Sequence, residues 1–297
     1  MNTQKQTEPA GMSETEVWRS RVKAHHAQSI NAMGSAALPD DFWESTAHHF
    51  RSDPHRTDDP ALDRLLQMVS PGDTMLDVGG GGGRYALPLA LKCRHVTVVE
   101  PSPSMVEVLK EGASEHGIRN LSVANAPWED AAVESADLAL SAHVLYGIEE
   151  VGPFILKMVA RARRLVCILL HMESPQSHLA GAWRLVHGEE RITLPGMREL
   201  VPVLWEMGIY PNLGMLEAAS PRTYDSRESA LIELKRRLYV RPGTEQEERL
   251  LRNLDAILVQ TPSGFAVRGA PPRRLALAWW ETSLTSSEAS GMVLTLH

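Results

Sequence analysis

Apolar residues fall along this chain in two alternating rhythms. Between positions 71 and 170, short runs rich in Val, Leu and Ala take turns with longer segments whose apolar positions recur every three or four residues. A short apolar run bounded by turn residues reads as a buried strand, and recurrence at helical spacing reads as a helix facing the core. The pattern predicts strands at 74–78, 95–100, 121–124, 136–141 and 164–170, with helices at 84–91, 104–116 and 149–162. Strands joined through helices by short connections require right-handed crossovers, and so a doubly wound parallel α/β sheet. Ligands of such sheets bind beyond the C-terminal strand edge, where Gly79, Glu100, Asn125 and Ser141 all emerge.

The flanks read differently. Ser13 and Glu16 form a capping box for a helix carrying Val17, Trp18 and Val22 on toward Ile30, and a second helix is expected over Asp41 to Phe50. A charged, proline-bounded connection at 51–60 leads into a helix at 61–69 with Leu62, Leu65 and Leu66 at helical spacing. Residues 1–12 are expected as a mobile tail, 13–59 as a helical N-terminal cap, and 60–282 as the main domain. Beyond Leu170 the expectation is an irregular stretch to 190, a helix at 195–207, a strand at 211–217, two helices within 226–259 and a last strand at 275–280. Residues 283–297 are expected as a tail.

The chemistry concentrates at 74–83, where Thr-Met-Leu-Asp-Val runs into five glycines and then into a helical segment. A strand that stops in glycines and turns into a helix presents backbone N–H groups and a positive helix end to a ligand. The dinucleotide pattern G-x-G-x-x-G does not complete from Gly79 or Gly80, because its sixth position falls on Arg84 or Tyr85. A phosphate loop would place lysine and a hydroxyl residue after the glycines, and Arg84-Tyr85 replaces neither. His95 to Val99 then reads as a β-branched strand closed by the acid Glu100, and Asn125-Ala126-Pro127-Trp128 follows the third strand. Asp137 opens the fourth strand, and Ser141 to His143 lie where it ends.

These landmarks, in this order, resemble the class I S-adenosylmethionine-dependent methyltransferases. The acid-x-Gly-x-Gly-x-Gly motif of that family is matched by Asp77, Gly79, Gly81 and Gly83. The resemblance implies a mostly parallel seven-stranded sheet whose last two strands form an antiparallel pair, with the helices at 226–259 as an insertion that builds a substrate lid. It implies S-adenosylmethionine as cofactor, with Glu100 accepting the ribose hydroxyls through two carboxylate oxygens. Asn125 stands where the family usually has an adenine-contacting aspartate, and its carbonyl still accepts from an amino group. Ala126 and Trp128 line the same turn, Trp128 as a purine wall or as packing beneath the loop. Ser141 is expected beside the sulfonium.

Methyl transfer to an already activated carbon asks the protein to position the nucleophile and exclude water. A base is required only for a protonated nucleophile, and His143 and Tyr146 are the candidates, histidine because it titrates near neutral pH. The alternative for His143 is a pocket-lining role. His171, Glu173 and His178 form a further cluster that matches no metal spacing. Arg51 and Arg56 are candidates to reach the methionyl carboxylate, and Arg84 sits near the cofactor tail or pairs with Glu100.

Composition narrows the partners. A net charge of −7 with no long basic cluster points away from a nucleic-acid partner and toward a small-molecule acceptor. No run approaches a membrane span and the N-terminus has no apolar signal core, so the expectation is a cytoplasmic protein without membrane association. Cys93 and Cys167 lack redox or metal spacing. Oligomeric state is not legible. Two rival readings share the sequence: a catalytically silent methyltransferase-like binding or assembly protein, kept alive by Asn125, and an NAD(P)-dependent oxidoreductase, disfavoured by the unfinished glycine pattern.

Overall fold

Leu76 and Val78 face one side of the first strand and Met75 the other, and all three are buried. That two-sided burial is what a parallel sheet between helical layers demands. In a computed structural model, residues 11–34, 41–216 and 222–282 are described. Chain order begins with α1 (Glu14–Met33), α2 (Pro60–Met68), β1 (Thr74–Val78), α3 (Ala86–Ala90), β2 (His95–Val99) and α4 (Pro103–Glu115). It continues with β3 (Leu121–Ala124), β4 (Ala136–Ala142), α5 (Val151–Arg161), β5 (Ala162–His171), α6 (Ala180–His187), α7 (Met197–Glu206) and β6 (Asn212–Met215). The last third holds β7 (Thr223–Tyr224), α8 (Arg227–Arg237), α9 (Glu245–Arg252), α10 (Leu254–Ile257), β8 (Leu258–Thr261), β9 (Gly264–Val267) and β10 (Leu275–Glu281).

The main sheet has seven strands in the order β3-β2-β1-β4-β5-β10-β6. β1 pairs in parallel with β2 and β4, and β10 runs antiparallel between β5 and β6. The seven-stranded, mostly parallel α/β sheet expected from the sequence is therefore present. Its direction reverses at β1, between β2 and β4, which opens the crevice where ligands of such sheets lie. One face carries α1, α5 and α7 over Leu76, Val78, Val166 and Ile168, and the other carries α2, α3 and α4 over Met75, Val96, Leu138 and Leu140.

The N-terminal helix is built into one of these layers. Ser13 and Glu16 make both halves of the capping box, and the indole of Trp18, 1% exposed, donates to the Ile148 carbonyl at 2.8 Å. The helix expected over Asp41 to Phe50 is reduced to turns and one 3-10 turn at Ala47–Phe50. Its first residue is engaged elsewhere: the Asp41 carboxylate accepts from Ser102 Oγ at 2.9 Å and from Ser104 N and Oγ at 3.1 and 2.7 Å, capping α4. Those bonds hold the Asp41 carboxyl at a pKa of about 2.

The region between β6 and β10 departs most from expectation. It contains helices, as anticipated, and also a three-stranded antiparallel sheet in the order β7-β9-β8. The helix expected to reach Val259 stops at Ile257, and Leu258 starts a strand. A separate hydrophobic core joins this insertion to α6, uniting Trp183 and Val186 with Leu234, Leu238, Leu250 and Leu254. The stretch expected to be irregular thus contains an eight-residue helix, closed by Gly188 at φ +78. Residues 1–10 of the expected 1–12 tail, the tail at 283–297 and the end of the 211–217 strand lie outside the described residues.

Candidate active site

The glycine turn after β1 is shaped by what surrounds each glycine. Gly79 and Gly80 both donate to the Val99 carbonyl, at 2.7 and 3.4 Å, drawing the loop against the end of β2. Gly79, Gly81 and Gly83 have φ of +74, +54 and +86, a region that L side chains enter at a cost. A Cβ on Gly79 would fall 2.4 Å from Val144 Cγ2, and one on Gly83 2.4 Å from Leu109 Cδ1. Packing inside the protein requires both. At Gly81 a Cβ would meet only Met105 Sδ, at 4.0 Å, so the space over that residue is open.

Glu100 faces this opening. Its carboxylate is 6% exposed and accepts from Gly81 N at 2.9 Å through Oε2 and from Ser102 N at 2.9 Å through Oε1. A carboxylate has about four lone-pair sites, so two such bonds leave each oxygen able to accept again. Burial raises its pKa. Asp77, one strand away and 2% exposed, is pushed up to about 7, first by burial and then by the charge of Glu100.

The third-strand turn supplies the neighbouring wall. Asn125 is exposed and donates its Nδ2 to the carbonyls of Glu100 and Pro101, at 2.8 and 3.1 Å, which leaves its amide oxygen to accept. Ala126 is half-buried on the same turn. Trp128 lies elsewhere: its indole is 4% exposed, donates to the Phe154 carbonyl at 3.1 Å and carries the Lys157 ammonium 4.6 Å from a ring centroid. The ring packs beneath the loop, and the purine-wall reading is not carried further. Ser141 is fully buried and donates to the Val78 carbonyl at 3.2 Å, tying β4 to β1 without an exposed atom for a ligand.

Beyond β4 the chain makes one strained step. His143 has φ +63, held there by its N–H donating to the Leu169 carbonyl at 2.8 Å. Such a backbone persists only where the surroundings over-determine it. The Tyr146 hydroxyl accepts the His171 N–H at 2.7 Å and shares a hydrogen bond with His143 Nδ1 at 3.2 Å. Burial, then the neighbouring His171 and the charges of Arg84 and Arg273, lower the His143 pKa to about 3. The expectation that it titrates near neutral pH is not met: in this state it is a neutral hydrogen-bonding group. Burial also raises the Tyr146 phenol above its ordinary value.

Two residues of this cluster had weak or no sequence signal. His171, at the end of β5, stacks toward His143 with ring centroids 5.1 Å apart. Arg273, just before β10, donates to His171 Nε2 at 3.3 Å across 102 residues of sequence. The proposed partners of His171 separate, for Glu173 pairs with Arg198 at 2.9 Å and His178 Nδ1 donates to the Pro175 carbonyl at 2.8 Å. Arg51 pairs with Glu115 and Glu111. Arg56 and Arg84 both pair with Asp59, at 3.0 and 2.8 Å, so Arg84 does not reach Glu100. No helix among the described residues is long and apolar enough to cross a membrane.

Known proteins resemble this arrangement. Residues 76–167 match the methyltransferase domain family. An uncharacterised protein of Haemophilus influenzae is 28% identical over 163 residues, covering 53% of this chain and 59% of that one. A 23S rRNA (uracil(1939)-C(5))-methyltransferase of Alkalilimnicola ehrlichii is 30% identical over 157 residues, 48% of this chain and 32% of its own. The chain thus spans less than two thirds of the length of these curated relatives. Among solved structures, YcgJ of Bacillus subtilis superposes with a TM-score of 0.52 at 12% identity, over 76% of this chain and 99% of its own. A Bacillus halodurans protein described as a candidate methyltransferase gives 0.54 at 12% identity, over 75% and 99%.

The RNA-modifying relatives overturn the expectation that nucleic acid is excluded as a partner. That expectation rested on net charge, which sums the whole molecule and is blind to a local basic surface. Over residues 76–167 the chain is thus similar to the methyltransferase domain family, and it shares its fold with these solved structures.

Proposed function

We propose that this chain binds S-adenosylmethionine over Gly81 and Glu100 and transfers its methyl group to a small acceptor held beside His143 and Tyr146. The observation that carries the reading is the buried Glu100 carboxylate at the β2 edge, bonded to Gly81, over which the space is open. A vicinal diol fits the lone pairs left on that carboxylate, and the free oxygen of Asn125 fits an exocyclic amino group. When bound, the cofactor supplies an electrophilic methyl on a sulfonium.

The protein's share is positioning. His143 presents its ring from a backbone held by the Leu169 carbonyl, and Tyr146 fixes that ring through Nδ1. Glu100 gives the crevice a carboxylate that suits a cationic ligand.

Calorimetric titration of the full chain with S-adenosylhomocysteine tests the site. Saturable binding that Glu100→Ala weakens at least about tenfold is the expected result. Equal affinity in both proteins overturns the assignment. Labelled cofactor incubated separately with a small-molecule extract and with total RNA then reads the acceptor class, and label confined to RNA overturns the small-acceptor part.

A further inference from the structure

Segment 41–50 carries three aromatic rings that the core does not take up. Phe42, Trp43 and Phe50 are 63%, 38% and 43% exposed, although the chain has only four phenylalanines to place. The rings hold one another edge to face, Trp43 meeting Phe42 with centroids 5.0 Å apart at 86° and Phe50 with centroids 5.1 Å apart at 81°. Such pairs brace a ring at a fixed angle. A contiguous aromatic cluster left in water marks a binding surface.

Hydrogen bonds fix where this cluster lies. One carboxylate oxygen, Asp41 Oδ1, accepts from Trp43 N at 3.0 Å and from Ser102 Oγ at 2.9 Å, and Ser102 N donates to Glu100 Oε1 at 2.9 Å. Trp43 is therefore rooted on the Ser102 bank of the Glu100 crevice. At the other end of the segment the Phe50 carbonyl oxygen lies 3.0 Å from where a Cβ on Gly82 would fall. Gly82 follows Gly81, whose N–H donates to the second Glu100 oxygen at 2.9 Å, so Phe50 is rooted on the opposite bank. The rings of Trp43 and Phe50 meet between the two. Beneath them Ala47 packs on Met105, whose Sδ borders the open space over Gly81.

We infer that Trp43, braced by Phe42 and Phe50, stacks on the purine ring of the bound nucleoside and forms the aromatic wall of the cofactor site. A purine whose ribose is held by Glu100 and whose amino group meets the Asn125 oxygen lies along Pro101 and Ser102, because Asn125 Nδ2 bonds the carbonyls of Glu100 and Pro101 at 2.8 and 3.1 Å. Asp41 roots Trp43 at that same Ser102. Trp128, the sequence candidate for this wall, is 4% exposed and packs beneath its loop, so the wall comes from ahead of the glycine turn instead. Stacking of a base on an aromatic ring strengthens binding about five- to hundredfold and requires only a π-face on each partner. The inference deepens the methyl-transfer reading and rests on its cofactor half.

The test titrates the full chain with S-adenosylhomocysteine by calorimetry and follows tryptophan emission through the same titration. The expected result is saturable binding with quenched emission in the parent. Trp43→Phe keeps a ring and is expected to hold the affinity within about threefold while losing most of the emission change. Trp43→Leu, which keeps apolar cover without a π-face, and Trp43→Ala are each expected to weaken binding about tenfold. Trp205→Ala, at an exposed indole on α7, leaves it unchanged. Thermal midpoints without ligand report that each variant keeps the fold. The inference is overturned if Trp43→Leu or Trp43→Ala binds as the parent does, or if the emission change persists in Trp43→Phe. Glu100→Ala separates the two readings: affinity lost there and kept in Trp43→Ala overturns the stacking alone, and a parent that does not bind overturns both.

Discussion

The Tyr146 hydroxyl accepts the backbone N–H of His171 at 2.7 Å, so a side chain from the β4 exit fastens the last residue of β5. It also bonds His143 Nδ1, at 3.2 Å. One phenol thus holds the backbone of one histidine and the ring of another, and it joins two strand ends at the edge where ligands of such sheets bind.

Tyr146→Phe removes that junction while keeping the ring. The mutant leaves a buried N–H and an imidazole nitrogen unpaired, at an expected cost of about 1–3 kcal/mol. Methyl-transfer turnover is expected to fall roughly ten- to hundredfold with little change in cofactor affinity. Denaturant melts and single-turnover rates measure the two effects, and unchanged turnover removes Tyr146 from the chemistry.

His143 separates strain from function. Glycine relieves the φ of +63 and alanine does not, so His143→Gly is expected to be about 1 kcal/mol more stable than His143→Ala. Both variants lose the imidazole and are expected to lose turnover equally. A glycine variant with parental turnover would make His143 a lining residue.

The glycines of the turn divide by what they face. At Gly83 an added methyl collides with Leu109 and Leu87, 2.4 and 2.8 Å away, so Gly83→Ala is expected to cost about 2–4 kcal/mol. At Gly81 only the backbone angle resists, and Gly81→Ala is expected to cost about 1 kcal/mol while weakening S-adenosylhomocysteine at least about tenfold. Thermal melts with calorimetry on the same samples check both. Cofactor affinity retained in Gly81→Ala would argue against the space over Gly81 as the contact surface.

Asp77 makes stability and affinity respond oppositely to pH. Its folded pKa of about 7 lies above the ordinary 3.8, so the folded protein holds this proton more tightly than the unfolded chain. Its contribution to stability is therefore most favourable below about pH 4, declines as pH rises toward 7, and levels off above. Asp77→Asn removes the penalty and is expected to stabilise the protein at pH 8 by on the order of 2 kcal/mol, with a much smaller gain at pH 5. A cationic cofactor favours the ionised form, so parental affinity is expected to rise from pH 6 to pH 8 and that rise to vanish in Asp77→Asn. Melts and titrations at those pH values decide it; a pH-independent gain would mean that Asp77 is ionised in the fold.

Local rules made the sheet legible. Buried parallel strands are continuous apolar runs and their crossover helices repeat at helical spacing, so β1 to β5 and α3 to α5 were readable to within a few residues. The glycine turn and Glu100 were readable for the same reason, since a strand end followed by glycines places its neighbours by covalent connection. Short-range chemistry was equally visible at Ser13 and Glu16, whose capping box spans three residues.

What failed to show in the sequence depends on partners far along the chain. Asp41 gives up its helix because Ser102 and Ser104 take its carboxylate, and β8 and β9 are strands because β7 and a separate core with α6 receive them. Trp128 and Ser141 have the right positions for a ligand, yet packing turned both inward. The amino-acid sequence by itself determined the doubly wound sheet and the glycine turn, because both are written in neighbouring residues. Only the tertiary structure decided that His143 is neutral and that Arg273 meets His171, because burial and charge are sums over residues that meet only once the chain has closed.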